Sequence, residues 1–172
     1  MPLSPHIIVI IPAFNEEESI SKVIQEIPSE VAQIIVVDNG STDATGVMAA
    51  KAGATVCRED QKGYGYACLK GMHYISDHSL NPDIIVFLDG DYSDYPEYLT
   101  ALVTPIAAEE KDLMIGARVA HLREAGAMTF PQRFGNDLAT FLMRLFFGSR
   151  FTDLGPFRAI RYTCLLDLNM ED

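Results

Sequence analysis

Ile84 to Leu88 is an unbroken run of apolar residues. Strict alternation would mark a strand with one wet face. A continuous run marks a strand covered on both faces, which implies a mainly parallel sheet between helical layers. Asp89 and Asp91 follow at once, separated by Gly90 alone. Strand side chains change face at each step, but a glycine frees the backbone to turn, so the two acids can converge at the strand's C-terminal end. Converging carboxylates there suit a hard divalent cation, Mg2+ or Mn2+, which in turn can hold a diphosphate. An EF-hand loop begun at Asp89 would need a glycine where Asp94 stands and a glutamate where Thr100 stands, so that reading fails. A plain Asp-Gly-Asp turn without metal is the competing reading, and neighbouring motifs must decide.

Those neighbours lie on other strands. His6 to Ile11 reads as a first strand ended by Pro12-Ala13-Phe14. Asn15 before three glutamates reads as an N-cap, with Glu18 at the capping-box position. Ile20, Val23, Ile24 and Ile27 form a helical stripe stopped by Pro28. Ile34 to Val37 is a second strand, followed by the turn-rich Asp38-Asn39-Gly40-Ser41-Thr42-Asp43. A helix over 44–52, a strand over 55–57, and a glycine-rich turn Lys62-Gly63-Tyr64-Gly65 opening a helix to about Ser76 come next. After the Asp-Gly-Asp segment, Pro96 suits the first position of a helix reaching Ile106, and Leu113 to Ile115 a fifth strand. Residues 119–130 read as a loop, 138–147 as an apolar helix, 152–158 as a turn entering a short strand, and 162–168 as a last helix.

Strands alternating with helices give an α/β fold, a three-layer α/β/α arrangement around a mostly parallel sheet. Ligands in such sheets bind beyond the carboxyl ends of the strands. The polar motifs after strands one, two, four and five all fall there.

Charge narrows the function classes. The chain of 172 residues carries a net charge of −11, which argues against nucleic acid as a partner. The acid excess lies entirely in residues 1–111, and every cation after residue 111 is arginine. Guanidinium forks match phosphate oxygens, which makes Arg118, Arg133 and Arg158 candidates for a donor diphosphate and an acceptor phosphate. Cys57, Cys68 and Cys164 have no metal-like spacing and read as reduced thiols of a cytoplasmic protein. The start is expected to carry no secretory leader, and no apolar run approaches a bilayer span. The ten-residue run Leu138–Phe147 fits a core helix or a segment resting at a membrane surface.

Ile10-Ile11-Pro12-Ala13-Phe14-Asn15-Glu16, Val36-Val37-Asp38-Asn39-Gly40-Ser41-Thr42-Asp43 and Leu88-Asp89-Gly90-Asp91, in that order and spacing, resemble the family 2 glycosyltransferases. Gly63-Tyr64-Gly65, Gly116-Ala117-Arg118 and Asp153-Leu154-Gly155-Pro156-Phe157-Arg158 make the polyprenyl-phosphate (dolichol-phosphate) mannosyl- and glucosyltransferases the most similar members. The resemblance implies a GT-A nucleotide-sugar-binding fold in a single catalytic domain over residues 1–172, lacking C-terminal elements found in relatives. It implies an inverting transfer of a hexose from a nucleoside-diphosphate sugar to a polyprenyl phosphate, on the cytoplasmic face of a membrane. A saccharide acceptor, or a nucleotide-sugar-binding module without turnover, are the alternatives. A sugar-1-phosphate nucleotidyltransferase would carry a glycine-rich basic loop after strand one, which Pro12 to Glu16 is not.

Residue by residue, the resemblance implies that Asp89 and Asp91 hold the cation, with Asp91 the closer ligand. Pro12, Phe14 and Glu16 match the nucleoside pocket, and Phe14 is either a base-packing or a core aromatic. Asp38, with Asn39 and Gly40, would face the nucleoside, although Asp38 equally suits an Asx turn. Asn39 stands where many relatives carry aspartate. Lys62, Gly63 and Gly65 either approach the nucleotide or simply open the next helix, and Gly90 completes the donor set. A phosphate acceptor is already largely anionic near neutral pH and needs no general base. A hydroxyl acceptor would need one, and Asp153 is then the first candidate.

Overall fold

The computed structural model of the chain describes residues 5–116 and 155–170. The chain divides into two compact units, Met1–Met114 with Phe157–Asp172, and Ile115–Pro156. Every element named below lies in the first unit, save the last residue of β5.

In chain order the elements are β1 (Ile7–Ala13), α1 (Ile20–Glu26), β2 (Gln33–Asp38), α2 (Thr45–Lys51), β3 (Thr55–Arg58), α3 (Tyr64–Asp77) and β4 (Ile84–Phe87). A 3-10 turn (Pro96–Tyr98), α4 (Leu99–Ala107), β5 (Leu113–Ile115), β6 (Arg158–Arg161) and α5 (Tyr162–Asp167) follow. Among the described residues the sheet has strand order β3-β2-β1-β4-β6-β5. β1 pairs in parallel with β2 and β4, and β2 with β3, whereas β6 runs antiparallel to β4.

The apolar runs explain why the sheet is central. All seven residues of β1 and all four of β4 are buried, and most are β-branched, which suits a strand packed on both faces. Successive side chains divide between two cores, as the two-residue period requires. Ile7, Val9 and Ile11 pack with Ile20, Val23 and Ile24 of α1, Ala49 of α2, and Leu99, Leu102, Val103 and Ile106 of α4. Ile8 and Ile10 face the other way, against Ala67 and Ile75 of α3 and Leu165 of α5. The expected three layers are therefore present.

Several local expectations need correction. β1 runs on through Pro12 and Ala13, in register with Val37 and Asp38. Asn15 is not an N-cap. It sits at φ 57, and α1 starts only at Ile20, after Ser19. The Asn15 side chain instead accepts hydrogen bonds from the Thr42 backbone N–H (2.9 Å) and hydroxyl (3.3 Å), which outcompetes local capping. Pro96 opens a 3-10 turn that leads into α4, not the α-helix itself. The backbone at Gly90 is not left-handed. The residue with positive φ in that segment is Tyr92 at 63°, and a Cβ on Gly90 would meet Ala13 and Ile20 at an ordinary 3.4 Å. The strand after Phe157 is Arg158–Arg161, four residues antiparallel to β4. The expected loop at 119–130 and the helix at 138–147 lie outside the described residues.

Topology fixes where a ligand can sit. From β1 the chain steps outward to β2 and β3, then crosses back to place β4 on the other side of β1. The C-terminal ends of β1 and β4 thus flank the point where strand order reverses, the usual site of a crevice in open α/β sheets.

Candidate functional site

A cleft of about 380 Å³ opens at that switch point. Pro12, Ala13, Phe14 and Glu16 line it from the exit of β1, Asn39 from the exit of β2, and Asp89, Gly90 and Asp91 from the exit of β4. Lys62, Gly63, Tyr64 and Ala67 close it from the start of α3. Most of the residues singled out in the sequence therefore meet at one place.

The loops that carry them are bonded to one another. The Glu16 N–H donates to Thr45 Oγ1 (2.7 Å), and the Asn15 N–H to Ser41 Oγ (3.0 Å). The Asp43 carboxylate accepts the Glu17 N–H (3.2 Å), the Thr45 N–H (3.0 Å) and the Thr45 hydroxyl. Burial raises the Asp43 carboxyl, but these bonds outweigh it and hold its pKa below the ordinary value. Ser19 Oγ lies 2.7 Å from the Glu16 carboxylate and 2.8 Å from the Gly90 carbonyl, joining the β1 loop to the Asp-Gly-Asp turn.

Phe14 is 47% exposed, so it is no core aromatic. Lys62 Nζ stands 5.4 Å from its ring centroid, a cation–π contact across the cleft. Asp91 is exposed, and one of its oxygens accepts the Ser93 N–H at 2.9 Å. Asp89 is half-buried, with one carboxylate oxygen wholly shielded from solvent. Among the described residues no group of three or more His, Cys, Asp or Glu side chains is placed to hold a metal ion. Asp89 and Asp91 offer instead an all-oxygen, open-sided pair. That donor set fits a Mg2+- or Mn2+-like cation whose remaining ligands are phosphate oxygens and water.

Other expected residues stand back from the cleft. Asp38 forms the Asx turn, accepting the Ser41 N–H at 2.8 Å, and pairs with Arg58 at 3.3 Å. Gly40 takes φ +77 in that turn, and Gly65 lies one step beyond the lining. Gly63, at φ +145, needs its missing side chain to enter α3. Arg118, Arg133 and Asp153 lie outside the described residues.

Sequence reading passed over Tyr64. Its phenol lies near Arg158 and Cys68, with the Asp89 charge near enough to act on both Tyr64 and Cys68. Burial pushes the Tyr64 phenol well above its ordinary range and the Cys68 thiol up to about 11. The signal available in the sequence was the tyrosine between Gly63 and Gly65, which a plain helix-entry turn does not require. β6 sets Arg158 opposite Phe87 of β4, two residues before Asp89, outside the lining of the cleft.

The sequence model of glycosyl transferase family 2 matches residues 8–167. The chain belongs to this family. The glycosyltransferase AglJ of Haloferax volcanii is 33% identical over 172 residues, spanning 99% of this chain and 55% of AglJ. The UDP-N-acetylglucosamine–dolichyl-phosphate N-acetylglucosaminyltransferase of Methanococcus voltae is 27% identical, over 86% of this chain and 65% of that protein. Among solved structures, glucosyl-3-phosphoglycerate synthase from Mycobacterium tuberculosis, in complex with Mn2+, uridine-diphosphate and glucosyl-3-phosphoglycerate, superposes with a TM-score of 0.71 at 25% identity. That match covers 91% of this chain and 57% of the synthase. The fold of this family 2 member is accordingly the GT-A glycosyltransferase fold. The chain spans between half and two thirds of the length of these relatives.

Proposed function

We propose that the chain is the donor-binding part of an inverting glycosyltransferase that moves a hexose from a nucleoside-diphosphate sugar to a polyprenyl (dolichyl) phosphate. The observation that carries this is the single cleft in which Asp89 and Asp91 meet Phe14, Asn39 and Lys62. Phe14 offers an exposed ring to a nucleobase, Lys62 a cation to the diphosphate, and the two aspartates the cation seat. A divalent cation held by Asp91 and Asp89 would neutralise the charge that builds on the leaving nucleoside diphosphate. Arg158, opposite Phe87 in the sheet, supplies a second positive charge, and we assign it to phosphate.

Among the described residues no general base is evident, and a phosphate acceptor needs none, because its oxygen is already anionic near neutral pH. The acceptor oxygen forms its bond to the anomeric carbon as the diphosphate oxygen departs, which inverts that centre. The dolichyl-phosphate relative favours a lipid phosphate, and the chain would then work at a membrane surface from the cytoplasmic side. The phosphoglycerate synthase favours a second reading, a small soluble phosphorylated acceptor. Both readings use the same donor half.

The test is a donor screen with Mn2+ or Mg2+, following nucleoside diphosphate release by wild type and Asp91→Ala. Metal-dependent release that Asp91→Ala abolishes supports a transferase. Tight donor binding with no release under any acceptor would leave a binding module and sink the enzyme. Polyprenyl phosphate and 3-phosphoglycerate, added in parallel, separate the two acceptor classes.

A further inference from the structure

We infer that Asn39 is a positioning residue, whose neutral amide seats the segment from Glu59 to Gly63 against the cleft. The residue is 8% exposed, and its side chain makes three hydrogen bonds. Nδ2 donates to the Gln61 carbonyl at 2.7 Å and to the Glu59 carbonyl at 3.2 Å. Oδ1 accepts the Gly63 N–H at 2.8 Å. The Asn39 backbone N–H donates to the Ala13 carbonyl at 2.9 Å, so one residue ties the tip of β1 to the loop before α3. That loop delivers Lys62 over the Phe14 ring and Gly63 into the first turn of α3.

The pattern requires an amide. Both carbonyls need a donor, and the Gly63 N–H needs an acceptor; asparagine supplies both from one side chain. An ionised aspartate would set a carboxylate oxygen against two carbonyl oxygens and could donate to neither. Protonated, it would again donate one bond and accept one. An aspartate at this position is therefore expected to be a poor substitute, despite its shape. The other charges around this point are Arg58 with its partners Asp38 (3.3 Å) and Asp60 (2.9 Å), Glu59 with its carboxylate on the Gln61 N–H (2.7 Å), Lys62, and Glu16, Asp89 and Asp91 across the cleft. Wild type measured at each pH accounts for all of them.

The functional consequence rests on the donor-site reading above, so the experiment has one arm that needs no ligand. In the first arm, hydrogen exchange at the Gly63 amide is compared in wild type, Asn39→Asp and Asn39→Ala at about pH 7.5 and about pH 5, corrected for intrinsic rate. We expect Gly63 to exchange at least about tenfold faster in Asn39→Asp at the higher pH, because the Glu59 and Gln61 carbonyls push the carboxylate off the Gly63 N–H, and to regain much of its protection at the lower one, where burial against those carbonyls favours the neutral acid. Asn39→Ala is expected to stay unprotected at both, with β1 amides unchanged throughout. In the second arm, the affinity for UDP with Mn2+ is expected to fall about tenfold in Asn39→Asp at the higher pH and to recover at the lower. Wild-type protection and wild-type affinity in Asn39→Asp at about pH 7.5 would overturn the inference. Failure of wild type itself to bind UDP would tell against the nucleotide reading, while the exchange arm still decides the role of Asn39.

Discussion

At the scale of single residues, the cleft separates side chains that bind from side chains that hold. Asp91 is exposed and makes one local turn bond, so Asp91→Ala should leave the melting temperature nearly unchanged. It should nevertheless lower metal-dependent turnover by about 100-fold or more. A loss of both together would point to a structural role instead. Asp43 is the opposite case. Its folded pKa lies below 3.8, its ordinary value, so the stability it adds is present above that pH and disappears as pH falls through the folded value. Urea midpoints of wild type and Asp43→Asn should differ at neutral pH and converge in acid. Burial keeps Cys68 as a thiol at neutral pH, with a pKa of about 11. Its alkylation by iodoacetamide should accordingly be much slower at pH 8 than that of a model thiol, as mass spectrometry can show.

At the scale of elements, α3 approaches β1 closely at Gly71. A Cβ on Gly71 would lie 2.6 Å from Ile10 Cγ2, inside van der Waals contact with a residue that is fully buried. Gly71→Ala gains helix propensity of about 1 kcal/mol, but overpacking costs about 1–3 kcal/mol. We expect a net loss in denaturant titration, and Ile10→Ala, which removes Cγ2, should cost less in the Gly71→Ala chain than in wild type. The strands themselves were legible in the sequence, because β1, β2 and β4 are apolar runs whose burial follows directly from composition. So were the strand-tip motifs at Phe14, Asp89 and Asp91. The roles of Asn15, Asn39 and Ser19 were not, since each bonds to partners in another loop, far along the chain. A capping rule applied to Asn15 sees only its neighbours in sequence, and Thr42 is not one of them. Tyr64 escaped for a similar reason, its neighbour Arg158 arriving on the antiparallel strand.

At the scale of the whole molecule, donor binding and stability are linked. A nucleotide present at about 100 times its Kd stabilises the folded chain by about 2.7 kcal/mol. For a chain of this size that should raise the melting temperature by roughly 5–10 °C. The shift is expected with the cognate nucleoside diphosphate plus Mn2+, and should vanish with EDTA or in Asp91→Ala. A shift that ignores both would remove the two aspartates from the nucleotide site.

The antiparallel strand next to β4 has a consequence for how the protein is made. β1 to β4 can assemble as soon as they leave the ribosome, but the outer edge of β4, the strand that carries the Asp-Gly-Asp turn, finds its partner only when Arg158–Arg161 has been synthesised. Until then a flat apolar strand is open to pairing with another nascent copy. A stalled or truncated translation product should therefore aggregate through the strand that leads into Asp89 and Asp91.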